Sequence, residues 1–227
     1  MDLHGKVALV MGSDGNLGPI WVETLKEDGA DVFPCSYPIW DVRDPKPILR
    51  DCLNNFGVPD IIINNAGIDN PPGSKATFWG NWDEIIEVNL TGAKRICEAF
   101  IPHMIANKGG LIINISSIMG NVGADWRNYP RGFEKPMAYN VSKAGLIHMA
   151  KCIATQFGLF NIRCIALSFG PYDNGKHDPD FKEKFLKNVP MGRMANKEDM
   201  KNALRGAIMA TWANGVSFLH DGGYVAW

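Results

Sequence analysis

The chain has no surplus of charge of either sign: 23 Lys and Arg stand against 24 Asp and Glu, a formal net charge of −1. Proteins that grip nucleic acid or a membrane surface by charge carry an excess, so neither is expected as a partner. No apolar run approaches the roughly 20 residues needed to cross a bilayer. The opening MDLHGKVALVMG holds a short apolar run that leads into glycine and not into a cleavage site, so it reads as a buried strand rather than a secretory leader. The five cysteines (Cys35, Cys52, Cys97, Cys152, Cys164) form no C-x-x-C pair, as befits reduced thiols of a cytoplasmic protein. The five histidines lack the spacing of metal ligands. Repeats and low-complexity stretches are also missing. At 46% hydrophobic and 21% charged residues, the 227-residue chain has the balance of one globular domain with a sizeable core.

Apolar strand-like runs alternate with segments of helical period. Strands are expected over 6–11, 31–36, 60–64, 111–116, 162–168 and 216–219, and helices over 17–28, 45–56, 137–157 and 197–213. Residues 82–107 read as one long helix, or two, with Pro102 as a late interruption. Near-continuous apolar strands alternating with helices imply a parallel sheet covered on both faces. The expected fold is therefore α/β, a doubly wound, Rossmann-like, three-layer α/β/α arrangement, with ligands beyond the carboxyl ends of the strands.

After the first strand comes GSDGNLG, with Gly12, Gly15 and Gly18. Glycines there let the backbone approach a pyrophosphate, and the helix that follows offers free N–H groups and the positive end of its dipole. Alone this could be a plain strand-to-helix turn; its place between first strand and first helix makes Gly12, Asp14, Asn16, Leu17 and Gly18 candidates for binding a dinucleotide. Four further stretches follow in order. NNAG (residues 64–67) closes a strand, VNLTG places Asn89 in a helix, INISS ends a strand at Ser116 and Ser117, and YNVSK puts Tyr139 and Lys143 four apart on one helix face. Each has a bland reading by itself, since Tyr-x-x-x-Lys arises by chance on exposed helices and Ser-Ser at a strand end is often a turn. Together, with Ser117 lying 28 residues after Asn89, they resemble the short-chain dehydrogenase/reductase superfamily over nearly the whole chain, read as a single domain of that type over 1–227.

The chemistry that the resemblance implies fits the residue types. Reduction of a carbonyl by hydride needs a proton delivered to the developing alkoxide, and a phenol supplies it if its pKa is brought toward neutrality. The Lys143 ammonium, one turn from Tyr139, would favour the phenolate, and Ser117 would hold the substrate oxygen. By resemblance, Asn89 holds a water that links Lys143 to solvent, Lys143 also binds the nicotinamide ribose, and Asn65, Ala66 and Gly67 pack against the cofactor. After the fifth strand, Gly170 and Pro171 stand where the family contacts the nicotinamide, although Phe169 replaces the usual proline. The segment FKEKFLKNVPMGRMANKEDM and the ending DGGYVAW resemble most the oxidoreductases of flagellin modification and nonulosonic-acid sugar pathways.

Two departures stand out. Ser117 and Tyr139 lie 22 residues apart, more than the family's usual gap, and the extra segment GNVGADWRNYPRGFEKP carries Trp126, Arg127, Tyr129, Arg131, Phe133 and Lys135. Anchored at both ends by candidate catalytic residues, it is expected to overhang the site, where aromatic and basic side chains suit a polar, phosphorylated or sugar-like ligand. A solvated loop or an oligomer contact is the plainer alternative. The second departure is a shortage. Between Ser36 and the Asp41-Val42 pair there is no room for the helix and strand that usually intervene, because a parallel crossover needs a dozen or more residues. The outermost strand and its helix should be missing, leaving residues 31–36 at the sheet edge, where Pro34 is tolerated. Asp41 and Val42 still match the family's adenine-contacting pair. Ser36 stands where an acid commonly binds the adenosine ribose and can make only a single hydrogen bond; no Arg or Lys directly follows it, and Asp14 would repel a 2′-phosphate. The cofactor expected is therefore NAD or NADP, with a lean toward NAD.

The reading that follows is an oxidoreductase that moves a hydride between NAD(P) and a hydroxyl or carbonyl of a small polar substrate, a sugar derivative. A 3-oxoacyl thioester reductase and a binding protein with impaired cofactor affinity are the alternatives. The resemblance also implies a homo-oligomer, a dimer or tetramer, paired through the two long helices and the C-terminal region, where apolar Tyr224, Val225 and Trp227 would face solvent poorly.

Overall fold

The structure, a computed structural model, describes residues 1–71 and 73–226. Chain order is β1 (Val7–Met11), α1 (Gly18–Glu27), β2 (Asp31–Cys35), α2 (Pro45–Asn55), β3 (Ile61–Asn64), α3 (Trp82–Ile86), a π-helical turn (Glu87–Gly92), α4 (Ala93–Ala106), β4 (Gly110–Ser117), α5 (Met137–Phe157), β5 (Ile162–Phe169), α6 (Pro179–Leu186), α7 (Lys197–Met209) and β6 (Ser217–His220). The strands form one six-stranded sheet in the order β2-β1-β3-β4-β5-β6, with every neighbouring pair parallel. Side chains alternate across it with period two. Ala8, Val10, Ile61, Ile63, Ile113 and Ile165 face α1 and α7, while Leu9, Met11, Ile62, Ile112 and Cys164 face α2, α4 and α5. Burying one such aliphatic side chain contributes about 1.5–3 kcal/mol, so two full inner faces carry most of the fold's driving force.

The shortened second unit takes the expected form. Nine residues, 36–44, separate β2 from α2. They make a tight turn in which the Trp40 N–H donates to the Ser36 carbonyl at 3.0 Å, and Trp40 packs edge-on against Phe33 at 5.2 Å. Asp44 then caps α2 by accepting the Lys46 N–H, with Pro45 at the first helical position. Among the described residues no strand lies outside β2, whose only ladder partner is β1, and Pro34 sits opposite Val10 in that edge ladder.

Three elements differ from the sequence reading. The break in the 82–107 helix falls not at Pro102 but at the π turn around Asn89. Pro102 lies on the exposed face of α4, where water can satisfy the carbonyl that it frees. At Gly92 the chain passes so near the adenosine-side turn that a Cβ would come within 2.5 Å of Val42 Cγ2. The helix expected to reach residue 213 stops at Met209, because the Arg163 guanidinium donates to the carbonyls of Ala207, Ala210 and Ala213 and so satisfies its free end. Residues 179–186, unassigned from sequence, form α6, with Asp178 as its cap and Pro179 at its start.

A third apolar cluster stands over the carboxyl ends of β4 and β5: Ile118, Met119, Phe185, Val189, Met194 and Tyr224. Tyr224 is buried there and stacks on Phe185 with ring centroids 4.8 Å apart, and Val225 packs against the same cluster. The expectation that Tyr224 needs a partner subunit to leave water is thus corrected, since α6 covers it within its own chain. Trp227, named with it, lies outside the described residues.

Candidate active site

The turn after β1 is shaped by close approaches that only glycine allows. Gly12 has φ +68, and a Cβ there would lie 2.8 Å from Ala66 Cα; a Cβ on Gly18 would lie 2.2 Å from the Gly12 carbonyl oxygen. Asn65 locks the turn from β3, donating to the Gly12 carbonyl at 2.8 Å and accepting the Trp21 indole N–H at 2.8 Å. Ala66 thus lies directly under the turn, and Asn65 holds its shape. Asp14, Gly15 and Asn16 are exposed on its outer side, with Leu17 half-buried before α1. The structure therefore presents a glycine cradle at the amino end of a helix, and these residues fit a dinucleotide pyrophosphate.

The adenosine side is built differently from the sequence expectation. The Ser36 hydroxyl meets the Ser13 hydroxyl at 2.8 Å and accepts the Asp14 N–H at 3.0 Å, so it braces the turn instead of standing free for a ribose. Val42 is buried against Gly92. Asp41 is lowered from its ordinary value by hydrogen bonding to Arg43, whose guanidinium lies 2.6 Å from it. Arg43 also sits 5.7 Å from the ring centre of Tyr37, the neighbour of Ser36. No cation directly follows Ser36 in sequence; the turn brings Arg43 back from seven residues further on to lie beside Tyr37. The signal was the Asp-x-Arg spacing, in which an aspartate two residues before an arginine orients it.

The four residues singled out for catalysis gather at the carboxyl end of the sheet. Asn89, on the π turn, accepts the Ile68 N–H at 2.7 Å and donates to the Ile68 carbonyl at 2.8 Å and to the Ser142 hydroxyl at 3.1 Å. It thereby ties the segment after NNAG to α5. A Cβ on Gly67 would lie 3.3 Å from Asn89 Oδ1 and 3.5 Å from Lys143 Nζ, so the absence of a side chain at Gly67 leaves room for both. Lys143 is buried and donates to the Ile115 carbonyl at 2.9 Å. Burial, with lesser help from the Lys135 charge, lowers it to about 8 against the opposing pull of Asp69. Its Nζ lies 5.5 Å from the centre of the Tyr139 ring. Ser117 is buried at the end of β4 and accepts the Met119 N–H at 3.1 Å. Tyr139 stands well above an ordinary phenol, first because of burial and then because of the Asp69 charge, while contact with the Ser117 hydroxyl pulls it back. The lowering expected from Lys143 is thus not met in the protein alone, where Tyr139 is raised and Ser117 is the group that opposes the rise.

Ser117 and Tyr139 open into a cavity of about 510 Å³ lined also by Gly170, Pro171, Asn16 and Leu17. The long segment between them does overhang the site. Its Tyr129 and Phe133 rings stack at 4.9 Å, and Tyr129 meets Phe181 of α6 at 5.0 Å, so loop and helix close one aromatic wall. Its cations part company. Arg127 is bound to Asp125 and exposed, Arg131 is exposed, and Lys135 alone lines the cavity. The contribution of α6 was missed from sequence, although Asp178-Pro179, an N-cap followed by a first-turn proline, was a legible helix start. Asp69, two residues past NNAG, also faces the cavity unannounced by any motif.

This arrangement of sheet, cradle and tetrad defines a class, and the chain belongs to the short-chain dehydrogenase/reductase family: the family model described as "Enoyl-(Acyl carrier protein) reductase" matches residues 13–225. Among curated proteins it is similar to a 7alpha-hydroxysteroid dehydrogenase of Paraclostridium sordellii, 33% identical over 80% of this chain and 67% of that protein. It is likewise similar to the 3-oxoacyl-[acyl-carrier-protein] reductase FabG of Chlamydia trachomatis, 32% identical over 88% of this chain and 79% of that one. Among solved structures, a gluconate 5-dehydrogenase from Burkholderia cenocepacia, in complex with NADP and tartrate, superposes over 100% of this chain and 97% of its own with a TM-score of 0.83. At 22% identity that likeness speaks to the fold. The protein is thus an NAD(P)-dependent oxidoreductase of this family. Among the described residues no helix is long and apolar enough to cross a membrane, and no cluster of three or more His, Cys, Asp or Glu is placed to hold a metal ion.

Proposed function

We propose that the protein interconverts a secondary hydroxyl and a carbonyl on a small polar substrate, a sugar derivative, as a cytoplasmic enzyme made of one catalytic domain over residues 1–227. The observation that carries this reading is that Ser117 and Tyr139, with Lys143 Nζ 5.5 Å from the Tyr139 ring centre, meet on a cavity walled by stacked aromatic rings and bordered by Asn16 and Leu17 of the glycine turn. Gly12, Asp14, Asn16, Leu17 and Gly18 would hold the pyrophosphate, with Ala66 and Gly67 beneath it, Lys143 at the nicotinamide ribose and Gly170 and Pro171 at the nicotinamide. Ser36, Asp41 and Val42 would border the adenosine. When bound, the dinucleotide supplies or accepts the hydride. The chain's own residues handle the proton. Ser117 holds the substrate oxygen, the Tyr139 hydroxyl gives or takes its proton, and Lys143 favours the phenolate form. Asn89 holds the Ile68 backbone and α5 in register so that Lys143 stays beside Tyr139.

The aromatic wall supports a ring-shaped substrate with C–H groups to lay on Tyr129 and Phe133, and the resemblance of the C-terminal half to sugar-pathway oxidoreductases points the same way. A second reading, reduction of a 3-oxoacyl thioester, is favoured by the FabG relative and the same proton-handling groups. Titration with NADH and NADPH, followed by nicotinamide fluorescence, tests the cofactor assignment. A screen of neutral, phosphorylated and nucleotide-activated sugars against a 3-oxoacyl thioester tests the substrate. Turnover of the thioester alone would replace the first reading by the second.

A further inference from the structure

Lys135 and Asp69 belong to neither the glycine cradle nor the tetrad, yet they stand against it. Lys135 Nζ lies 2.8 Å from Asp69 Oδ1, 3.0 Å from Oδ2 and 4.3 Å from the centre of the Tyr139 ring. The lysine side chain is 14% exposed and the aspartate 53%, so the pair reaches from the cavity wall to its open side. Both line the cavity that holds Ser117 and Tyr139. Lys135 comes from the end of the long Ser117–Tyr139 segment and Asp69 from the loop after β3, so neither is held in place by a regular element. A purely structural pair would be an odd choice here. A carboxylate beside a phenol that must ionise opposes the ionisation, and a second ammonium near Lys143 opposes its charge. Both effects weaken once a ligand shares the hydrogen bonds of the pair.

The chemistry of such a ligand follows from the sign of the site. An ammonium donates hydrogen bonds only and a carboxylate accepts them only, while their net charge is zero. A carboxylate or phosphate on the substrate would have to displace Asp69 from its ammonium and then lie against its like charge. An acyl chain brings no donor to Asp69 at all. A hydroxyl does both jobs, accepting from Lys135 and donating to Asp69, and two neighbouring hydroxyls span the pair. We infer that Lys135 and Asp69 form a diol clamp, which binds the neutral hydroxyls next to the reacting carbon and so selects polyols over both simple alcohols and anionic substrates. This inference deepens the sugar-derivative reading and rests on it; Arg127, held by Asp125, and the exposed Arg131 do not line the cavity, and the cation that does besides Lys135, the exposed Lys176 on the loop before α6, lines it together with the acid Asp178.

The probes are cyclohexanol, the cyclohexane-1,2-diols and the cyclohexane-1,2,3-triols, used with the holoenzyme and its Lys135→Met and Asp69→Asn variants. Oxidation rates are measured with NAD and NADP, and binding to the Tyr139→Phe holoprotein by calorimetry. The clamp predicts that wild type prefers the diols and triols to cyclohexanol. Each variant should lose roughly 10- to 150-fold in kcat/KM for the polyols, the worth of a hydrogen bond to a charged group. Loss of either charge also acts on Tyr139 and Lys143, but on cyclohexanol and polyols alike, so the polyol loss is read relative to cyclohexanol. An equal fall for cyclohexanol and polyols would make the pair a positioning device for Tyr139 and overturn the clamp while leaving the oxidoreductase reading intact. A protein that oxidises none of the alcohols is judged by calorimetry. Polyol binding that Asp69→Asn abolishes upholds the clamp although the assigned chemistry fails, and binding no tighter than that of cyclohexanol overturns it.

Discussion

The proposed proton transfer rests on a single oxygen atom, the Tyr139 hydroxyl. The Tyr139 hydroxyl meets Ser117 and lines the cavity, so Tyr139→Phe should lower turnover by roughly 10²- to 10⁴-fold or more while leaving folding and dinucleotide binding near wild type. Steady-state assays beside cofactor titration check it, and a Phe variant with most of its activity would remove Tyr139 from its role. Lys143 gives a prediction with a sign. Its charged form is the costly one in the fold, because burial lowers it from 10.5 to about 8. Below about pH 8 the folded protein carries that cost in full, on the order of 3 kcal/mol, and above the unfolded value of about 10.5 the cost is gone. Wild-type stability should therefore rise with pH across that window relative to Lys143→Met. The variant gives up the hydrogen bond to Ile115, about 1 kcal/mol, and should still melt no earlier than wild type near pH 7, with the comparison shifting toward wild type by pH 10. Thermal melts of the two proteins without cofactor would show it; a variant that melts far below wild type at both pH values would locate the value of Lys143 in packing. The tetrad itself was legible because its members have fixed types and spacing. Asp69 and the placement of Lys135 were not, because both sit on irregular chain whose path no periodicity encodes.

Elements were legible where the period was clean and misjudged where tertiary contact overrode it. All six strands and the edge position of β2 could be read, the last by counting residues between Ser36 and Asp41 against the reach of a crossover. The π turn could not, because its cause is the Asn89 side chain bonding to Ile68 across the chain rather than anything local to residues 87–92. The end of α7 was likewise set by Arg163, on a distant strand. At the tip of β2, Ser36 now has a defined task, and Ser36→Asp gives an informative change. One carboxylate oxygen can keep the Asp14 N–H and the Ser13 hydroxyl, leaving the other for a ribose hydroxyl. A charge-assisted hydrogen bond of about 1.5–3 kcal/mol should tighten NADH by roughly 10- to 150-fold and weaken NADPH. Paired titrations that leave both constants unchanged would show that Ser36 does not border the ribose.

For the whole molecule, the strongest statement about assembly comes from what its own fold leaves uncovered. Trp212 is 99% and Leu159 101% exposed, Met209 and Phe160 are exposed beside them in sequence, and Val141 is exposed on α5. With Tyr224 already buried within the chain, these residues, like the exposed Trp79, Ile39 and Met191, offer apolar surface that the C-terminal tyrosine does not. A homo-oligomer, dimer or tetramer, is expected by light scattering at micromolar concentration, and Trp212→Glu should shift it toward smaller species; a wild-type monomer under those conditions would refute the expectation. The missing outer strand has a further consequence, and it concerns time. With residues 36–44 forming a nine-residue turn in place of an outer strand, a dinucleotide bound as proposed would be held mainly at its pyrophosphate and nicotinamide parts and would have less to let go of. Differences in affinity among related complexes are expressed mostly in how fast the ligand leaves. In many enzymes that departure, and not the chemistry, limits each cycle. The shortened unit should therefore give quick exchange of oxidised for reduced cofactor, so that stopped-flow release of NADH outruns steady-state turnover and the chemical step becomes the slow one.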